Sequence, residues 1–134
     1  MSRKKTYIDS GVLIADFRGV QSIGIQANTI FNDDNREFVS SQFVKLEVVP
    51  KASYNQQQDE TDFYETFFSA VSYWATDLEQ ISQDAYQLSS LYGLAAMDAL
   101  HVAAALWLKS NELITTEKPT KPMHRVKKIQ IISI

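Results

Sequence analysis

The stretch from Tyr92 to Ala105 reads YGLAAMDALHVAAA, and the β-prone run ELITT follows it at 112–116. Alanine and leucine are strong helix formers, so this composition predicts a helix over 96–108. Gly93 is a typical C-terminal cap for an earlier helix, which we predict over 78–91. A helix that leads directly into a strand is the repeating unit of α/β domains, in which strands and helices alternate along the chain.

The same alternation extends over the rest of the chain. Further strands are predicted at 6–8, 37–41, 71–75 and 129–134, and further helices at 12–17, at 20–31, from Phe43 onward and at 61–71. We expect Pro50 to kink or interrupt the helix that begins near Phe43, because proline has no N–H donor and its ring crowds the preceding turn. This alternation favours an α/β fold with a mostly parallel sheet of about five strands, covered by helices on both faces. Ligands bind such sheets beyond the carboxyl ends of the strands.

Length and composition limit the classes of protein to which the chain belongs. With 134 residues, 45 % of them hydrophobic and 22 % charged, it has the size and composition of a single globular domain over 1–134. The net charge of −3 gives no general attraction to nucleic acid, so such a function requires a local basic patch or a bound cation. The absence of cysteine excludes disulfides, thiolate zinc sites and cysteine nucleophiles.

We expect no targeting or membrane segment. The basic start of the chain is followed by apolar residues that are soon interrupted by Asp9 and again by Asp16, which does not fit a signal peptide. No uninterrupted apolar run approaches the roughly 18 residues of a membrane helix. The sequence therefore predicts a soluble protein of the cytoplasm.

Four acidic residues fall where an α/β sheet places its active site. Asp9 follows the first predicted strand, Glu47 lies in the helix after the second, and Asp98 opens the alanine-rich helix. Glu117 follows the strand at 112–116. Carboxylates that converge on one pocket repel each other unless a divalent cation compensates their charge, and oxygen ligands suit Mg²⁺ or Mn²⁺. The pattern therefore suggests a metal site.

Each of these residues also has a structural interpretation, which the sequence leaves open. Asp9 suits the N-cap of the following helix, and Glu47 is placed to pair with Lys51 one turn later. Asp98 suits the positive end of its helix, and Glu117 suits an ordinary loop charge.

His101 lies three residues after Asp98, on the same face of the predicted helix. This position allows a role in supporting the carboxylates, but we favour a partly buried structural histidine. The aromatic residues at 61–71, together with Tyr73 and Trp74, are interpreted in a similar way, as core or subunit interface rather than as a surface that stacks on bases.

Four segments of the chain carry a family resemblance. They read TYIDSGVLI at 6–14, SQFVKLE at 41–47, YGLAAMDALHVAAA at 92–105 and ELITTEKP at 112–119. Taken in order, they resemble the signature blocks of the PIN-domain ribonuclease family, whose best-known bacterial members are VapC-like toxins. The resemblance implies a three-layer α/β/α domain. It also implies a Mg²⁺- or Mn²⁺-dependent endoribonuclease that hydrolyses phosphodiester bonds of single-stranded RNA and leaves a 5′-phosphate and a 3′-hydroxyl.

The resemblance assigns catalytic and metal-binding roles to four residues. Asp9, Glu47 and Asp98 match the acidic triad of the family. Glu117 stands where many members have aspartate, which is a departure from the pattern. Its longer side chain either reaches the metal through water or leaves a weaker site.

The resemblance also implies supporting residues and partners. Ser10, Thr115 and Thr116 match hydroxyl positions that support the acidic cluster through hydrogen bonds. Members of the toxin type form homodimers and are inhibited by a small antitoxin protein. We therefore expect a homodimer with an antitoxin partner and no contact with a membrane.

A local basic patch follows the last of the four segments. The basic loop, as we call it, carries five cations and no acidic residue between them: Lys118, Lys121, Arg125, Lys127 and Lys128. Phosphate contacts supply much of the affinity of proteins for nucleic acids, so we predict that this loop binds single-stranded or structured RNA. An ordinary solvated loop is the alternative.

Two other functions remain open. A PIN-like RNA-binding or scaffold protein would result if Glu117 left the metal site weak or inactive. Phosphoryl transfer of the haloacid-dehalogenase type requires a second aspartate two residues after the first. Gly11 occupies that position, so the sequence argues against this function. The sequence has no P-loop and no glycine fingerprint for dinucleotides.

Overall fold

The structure, a computed structural model, describes residues 3–19 and 21–134. The elements are, in order, β1 (Lys4–Ile8), α1 (Ser10–Arg18), α2 (Gln21–Phe31), β2 (Arg36–Ser41), α3 (Gln42–Tyr54), α4 (Gln58–Ser69), β3 (Tyr73–Ala75), α5 (Leu78–Tyr92), α6 (Ala96–Trp107), β4 (Glu112–Thr115), a 3-10 helix (Pro122–Arg125) and β5 (Gln130–Ser133). The predicted alternation of strands and helices is confirmed.

The five strands form one sheet in the order β3-β2-β1-β4-β5, and each neighbouring pair is parallel. The chain builds outward from β1 to β3 on one side, then crosses β1 to add β4 and β5 on the other. The strand order therefore reverses between β1 and β4, where Ile8 is in register with Ile114. In open parallel sheets ligands bind at such a switch point, beyond the carboxyl ends of the strands.

The central strands are apolar because helices cover both faces of the sheet. Tyr7, Ile8, Leu113 and Ile114 are completely buried. Helix α6 contacts β2, β3 and β4 and packs along α5, while α1 to α4 contact one another and reach the sheet through α1 and α3. The buried alanines at 103–105 let α6 approach the sheet closely. These contacts confirm the predicted three-layer α/β/α arrangement.

Two glycines in the left-handed conformation end helices. Gly19 has a φ of 60° and ends α1, and Gly93 has a φ of 73° and ends α5. The predicted break near Gly19 and the predicted helix end at Gly93 are therefore confirmed, because glycine adopts this conformation without steric cost. The predicted start of the second helix, Val20, lies outside the described residues.

Pro50 lies within α3, which continues to Tyr54, so the predicted interruption of this helix is wrong. The reason is the buried face of α3, which extends to both sides of the proline. Val44, Val48 and Ala52 follow one another at four-residue spacing and are all at most 3 % exposed. Packing along this face outweighs the loss of one N–H donor at an exposed position.

Aromatic side chains of α4 pack where this helix meets α1 and the sheet. Tyr64 and Phe68 are buried, and Phe63 and Phe67 pack against the core beside them. The rings of Phe17 and Phe63 lie 5.3 Å apart, centroid to centroid. The aromatic stripe is therefore mostly core, as predicted.

A buried carboxylate lies at the amino-terminal edge of the sheet. Glu112, at the start of β4, is completely buried. Its Oε2 accepts hydrogen bonds from Thr6 Oγ1 at 2.6 Å and from Arg36 Nε at 2.8 Å, while Lys4 Nζ lies 3.7 Å from Oε1. Arg36 thus compensates a charge that would be costly to bury alone.

Within the described residues, no single helix has the length and apolar character needed to cross a membrane. Helices α5 and α6 meet these criteria only when taken together, and a bend of 119° separates them.

Candidate active site

Asp9 lies at the switch point of the sheet, between the end of β1 and the start of α1. Asp9 is 8 % exposed, and each of its two carboxylate oxygens accepts a hydrogen bond. The backbone N–H of Ser10 donates to Oδ1 at 2.7 Å, and Thr115 Oγ1 donates to Oδ2 at 2.7 Å. Asp9 is the N-cap of α1, so the capping interpretation is correct for Oδ1. The other oxygen, Oδ2, is bound by the hydroxyl of Thr115.

Glu47 projects from α3 toward the same edge of the sheet. Its Oε1 accepts a hydrogen bond from Ser10 Oγ at 2.5 Å and lies 2.5 Å from His101 Nε2. The hydrogen bond with His101 lowers the pKa of Glu47, and the Ser10 bond adds to this effect while burial opposes it. Among the described residues Glu47 forms no ion pair with Lys51, so the helix-surface interpretation is wrong.

His101 connects Glu47 to the interior of the sheet. The side chain is 1 % exposed, and its Nδ1 lies 2.9 Å from the hydroxyl of Tyr7, which lies 2.7 Å from Ser41 Oγ. Burial raises the pKa of Tyr7, so the phenol keeps its proton. A carboxylate only accepts hydrogen bonds, so the proton between His101 and Glu47 is on Nε2. Hydrogen bonds between His101 Nδ1 and the Tyr7 hydroxyl and between that hydroxyl and Ser41 Oγ continue this chain into the sheet.

The ligand atoms of Asp9, Glu47 and His101 all lie within 4.8 Å of one another, in the part of the chain that the structure describes. His101 Nε2 is 3.8 Å from Asp9 Oδ1. The interpretation of His101 as a structural residue is correct about its burial, but it misses this contact with two carboxylates. The only signal in the sequence is its position one turn after Asp98.

Asp98 lies in the first turn of α6, next to this cluster. Burial raises the pKa of Asp98, and the negative charges of Asp9, Glu117 and Glu47 raise it further, while His101 opposes them. Asp9, Glu47 and Glu117 therefore all lie close enough to Asp98 to influence its ionisation. Asp98 and Glu117 nevertheless contribute no atom to the 4.8 Å group formed by the described residues.

The remaining hydroxyl residues differ in their contacts. Thr115 Oγ1 donates to Asp9 and accepts from the backbone N–H of Glu117 at 3.0 Å. The Thr116 side chain forms no hydrogen bond within residues 3–19 and 21–134. It packs instead against the start of α1, where a Cβ on Gly11 would lie 2.3 Å from Thr116 Oγ1. Glycine at this position therefore permits the close approach of α1 to β4.

The donor set fits a hard divalent cation. Asp9 and Glu47 present carboxylate oxygens at one point. Burial, followed by the nearby negative charge, raises the pKa of Asp98 beside them. Mg²⁺ and Mn²⁺ prefer oxygen ligands of this kind. In this geometry the N–H at His101 Nε2 points at Glu47, so His101 acts as a hydrogen-bond donor to this carboxylate.

The structure places the basic loop next to α5. All five of its cations are exposed. Arg125 donates to the backbone carbonyl of Tyr92 at 2.9 Å, and Lys128 lines a cavity with residues of α5 and α6. In the described part of the chain, none of the five forms a hydrogen bond or ion pair with the acidic cluster.

The fold recurs in solved structures of toxin–antitoxin complexes. The match to VapBC2 from Rickettsia felis, bound to a DNA fragment from the promoter, has a TM-score of 0.73 at 12 % identity and covers 97 % of this chain and 98 % of that chain. VapBC-1 from nontypeable Haemophilus influenzae gives 0.72 at 18 % identity, with coverage of 96 % and 97 %. A toxin–antitoxin complex from Klebsiella pneumoniae gives 0.65 at 19 % identity, with coverage of 86 % and 90 %.

No family model matches the chain, and no curated protein matches it. At these identities the structural likeness establishes the fold. It is the PIN-like α/β fold that the four sequence segments predicted, and it is shared with the VapBC structures over nearly the whole chain.

Proposed function

We propose that the chain is a Mg²⁺- or Mn²⁺-dependent endoribonuclease that hydrolyses phosphodiester bonds of single-stranded RNA. The observation that carries this proposal is the convergence of Asp9, which follows β1, and Glu47 of α3 at the switch point of a parallel sheet. Asp98 and Glu117 add negative charge at the same place. Such a site is suited to a divalent cation and, through it, to a phosphate.

The residues that would hold the cation are Asp9 and Glu47, with Asp98 and Glu117 completing the acidic site. A bound divalent cation lowers the pKa of a coordinated water and offsets the charge that builds up on the phosphate during hydrolysis. The protein contributes orientation, because Thr115 holds one oxygen of Asp9. No histidine or serine nucleophile is required by this chemistry.

The orientation of Glu47 is the second contribution of the protein. Ser10 and His101 both donate to Glu47 Oε1, which leaves Oε2 free of described hydrogen bonds. Carboxylates that are held in this way need little reorganisation to bind a cation. The basic loop is the proposed contact for the RNA backbone, because all five of its cations are accessible.

The partners follow from the same proposal. The matched structures are described as VapBC or toxin–antitoxin complexes, some of them bound to DNA, which supports a small antitoxin protein as partner. We propose that this chain is the toxin of such a pair, acts in the cytoplasm and forms a homodimer.

The test is cleavage of an end-labelled pool of single-stranded RNA by the purified protein. Reactions contain Mg²⁺ or Mn²⁺, with an EDTA control and the variant Asp98→Asn prepared in parallel. Cleavage that requires the metal and is lost in the variant supports the proposal. Cleavage that persists in Asp98→Asn indicates a contaminating nuclease.

One observation favours the second candidate, an RNA-binding or scaffold protein. Glu117 contributes no atom to the close group of ligands in the described residues, so the site holds fewer carboxylates than a full acidic cluster. RNA binding that is retained in EDTA and in Asp98→Asn, without cleavage of any tested RNA, would favour this candidate.

A further inference from the structure

A polar cavity leads away from the acidic cluster between α1, α3 and α4. Its volume is about 500 Å³, and Glu47 lines the end nearest the cluster. The polar lining is Arg18 from α1, Glu47 and Lys51 from α3, Asn55 at the C-cap of α3, and Gln57, Glu60 and Tyr64 from the loop and helix that follow. The sequence did not single out this groove.

The groove contains two cations that no carboxylate neutralises directly. Within the described residues neither Arg18 nor Lys51 forms an ion pair, and both are exposed. Glu60, the other acidic residue of the lining, accepts a hydrogen bond from the hydroxyl of Tyr64 at 2.6 Å. Arg18 and Lys51 are therefore available to bind an anion that enters the groove.

The polar residues of α3 follow the direction of the groove. Glu47 and Lys51 are spaced four residues apart, so they lie on one face of the helix, and its C-cap Asn55 follows four residues after Lys51. Each step of four residues advances about 6 Å along the helix axis. A chain that has one phosphate at the acidic cluster thus meets a lysine at the next turn and an amide at the turn after that.

We propose that this groove binds the sugar–phosphate backbone of a single strand next to the bond that is cut. This inference rests on the proposed ribonuclease function and extends it to the path of the substrate. Arg18 and Lys51 take the adjoining phosphates, and the amides of Asn55 and Gln57 contact ribose hydroxyls or base edges.

The lining favours a nucleic acid over a polypeptide helix. A groove that receives an amphipathic helix is mainly apolar. Here only Ile14, Val48 and Ala52 are apolar, and two of these three are already buried in the core. Cations and amides in a polar groove are suited to phosphates and their attached sugars.

The experiment measures binding in EDTA, where the proposed chemistry does not proceed. A fluorescein-labelled single-stranded RNA is titrated with wild-type protein and with the double variant Arg18→Gln/Lys51→Gln over a range of salt concentrations. Two lost phosphate contacts lower the slope of log affinity against log salt by about 1.4, which is about 25-fold in affinity at about 0.1 M salt. The charge-conserving double variant Arg18→Lys/Lys51→Arg should bind nearly as wild type does.

A matched variant at the opposite edge of the sheet, Arg3→Gln/Lys109→Gln, changes the net charge by the same amount at two exposed cations outside the proposed RNA contacts. If it weakens binding as much as the groove variant does, the effect is general electrostatics and the inference is wrong. A labelled glutamate-rich peptide that binds through Arg18 and Lys51 when RNA does not would also overturn it. If wild type cuts RNA with Mg²⁺ while the groove variant binds RNA normally, only the groove assignment is wrong. If wild-type protein neither binds nor cuts RNA, the proposed ribonuclease function is wrong as well.

Discussion

His101 Nε2 lies 2.5 Å from Oε1 of Glu47, although 54 positions of sequence separate the two residues. This contact joins α6 to α3 across the carboxyl edge of the sheet. We expect His101→Ala to weaken Mn²⁺ binding about 10–100-fold, because Glu47 loses the donor that orients it. Isothermal titration calorimetry with Mn²⁺ measures the affinity.

His101→Gln is the matched control, because its amide keeps a donor. It should retain more Mn²⁺ affinity than His101→Ala. Thermal unfolding of both variants separates this effect from a loss of fold, and equal Mn²⁺ affinity of His101→Ala and wild type would show that Glu47 needs no orientation by His101.

Tyr7 supports the same contact from inside the sheet. Tyr7→Phe keeps the ring but leaves His101 Nδ1 and Ser41 Oγ without their buried partner. We expect a loss of about 1–3 kcal/mol in the free energy of unfolding, measured with urea. Adding Ser41→Ala should cost less in the Tyr7→Phe background than in wild type, because one unsatisfied hydroxyl is removed. Additive effects would contradict the hydrogen-bonded chain.

The two threonines at the end of β4 should behave differently. Thr115→Val has nearly the same shape but removes the donor to Asp9 Oδ2, so we expect metal affinity to fall about 10-fold or more. Thr116→Val removes a hydroxyl that has no described hydrogen bond, and it should change affinity little. The same calorimetric titration distinguishes them, and a larger effect at Thr116 would reverse the assignment of roles.

Arg36 tests stability at the opposite edge of the sheet. Arg36→Met leaves the buried Glu112 with less compensation, so unfolding should become easier by about 3–5 kcal/mol. Urea unfolding gives this value. Cleavage per folded molecule should remain unchanged, because Glu112 begins β4 whereas Thr115 ends it. A change in cleavage without a change in stability would contradict this separation.

The raised pKa of Asp98 predicts a pH dependence in the metal-free protein. Burial is its main cause, followed by the charge of Asp9. The folded state therefore keeps the Asp98 proton at pH values where the unfolded chain has lost it, so this residue lowers stability as pH rises from about 3.9. Asp98→Asn should be more stable than wild type near neutral pH, by a margin that shrinks toward acid pH.

Unfolding of both proteins in EDTA from about pH 4 to about pH 7 measures this margin. The contribution of Glu47, which has the opposite sign, is present in both proteins. Mg²⁺ should stabilise wild type more than Asp98→Asn, and a margin that stays constant with pH would contradict the assignment to Asp98.

The order of elements was predictable because each one has a local signal. Gly19 and Gly93 mark helix ends through a backbone conformation that glycine adopts freely, and the apolar runs around Ile8 and Ile114 mark buried strands. The interruption expected at Pro50 does not occur, because the buried face of α3 holds the helix together on both sides of the proline. Packing of that kind depends on residues distant in sequence.

The convergence of Asp9 and Glu47 was predictable, but their hydrogen-bond partners were less so. Spacing at the ends of strands identified Asp9 and Glu47. The sequence suggested Lys51 as the partner of Glu47, whereas the structure shows His101 in that role. This contact depends on how α3 and α6 meet above the sheet, which the sequence does not reveal. The groove beside Lys51 was hidden for the same reason.

The hydrogen bond from Thr115 to Asp9 spans 106 positions of the chain. A polypeptide leaves the ribosome from its N-terminus, so Asp9 and Glu47 emerge well before the strand that completes their surroundings. A chain that stalls before β4 therefore carries acidic residues without an assembled site. A chain terminated before β4 would lack the donor to Asp9 Oδ2, and under the proposed function we expect it to be inactive.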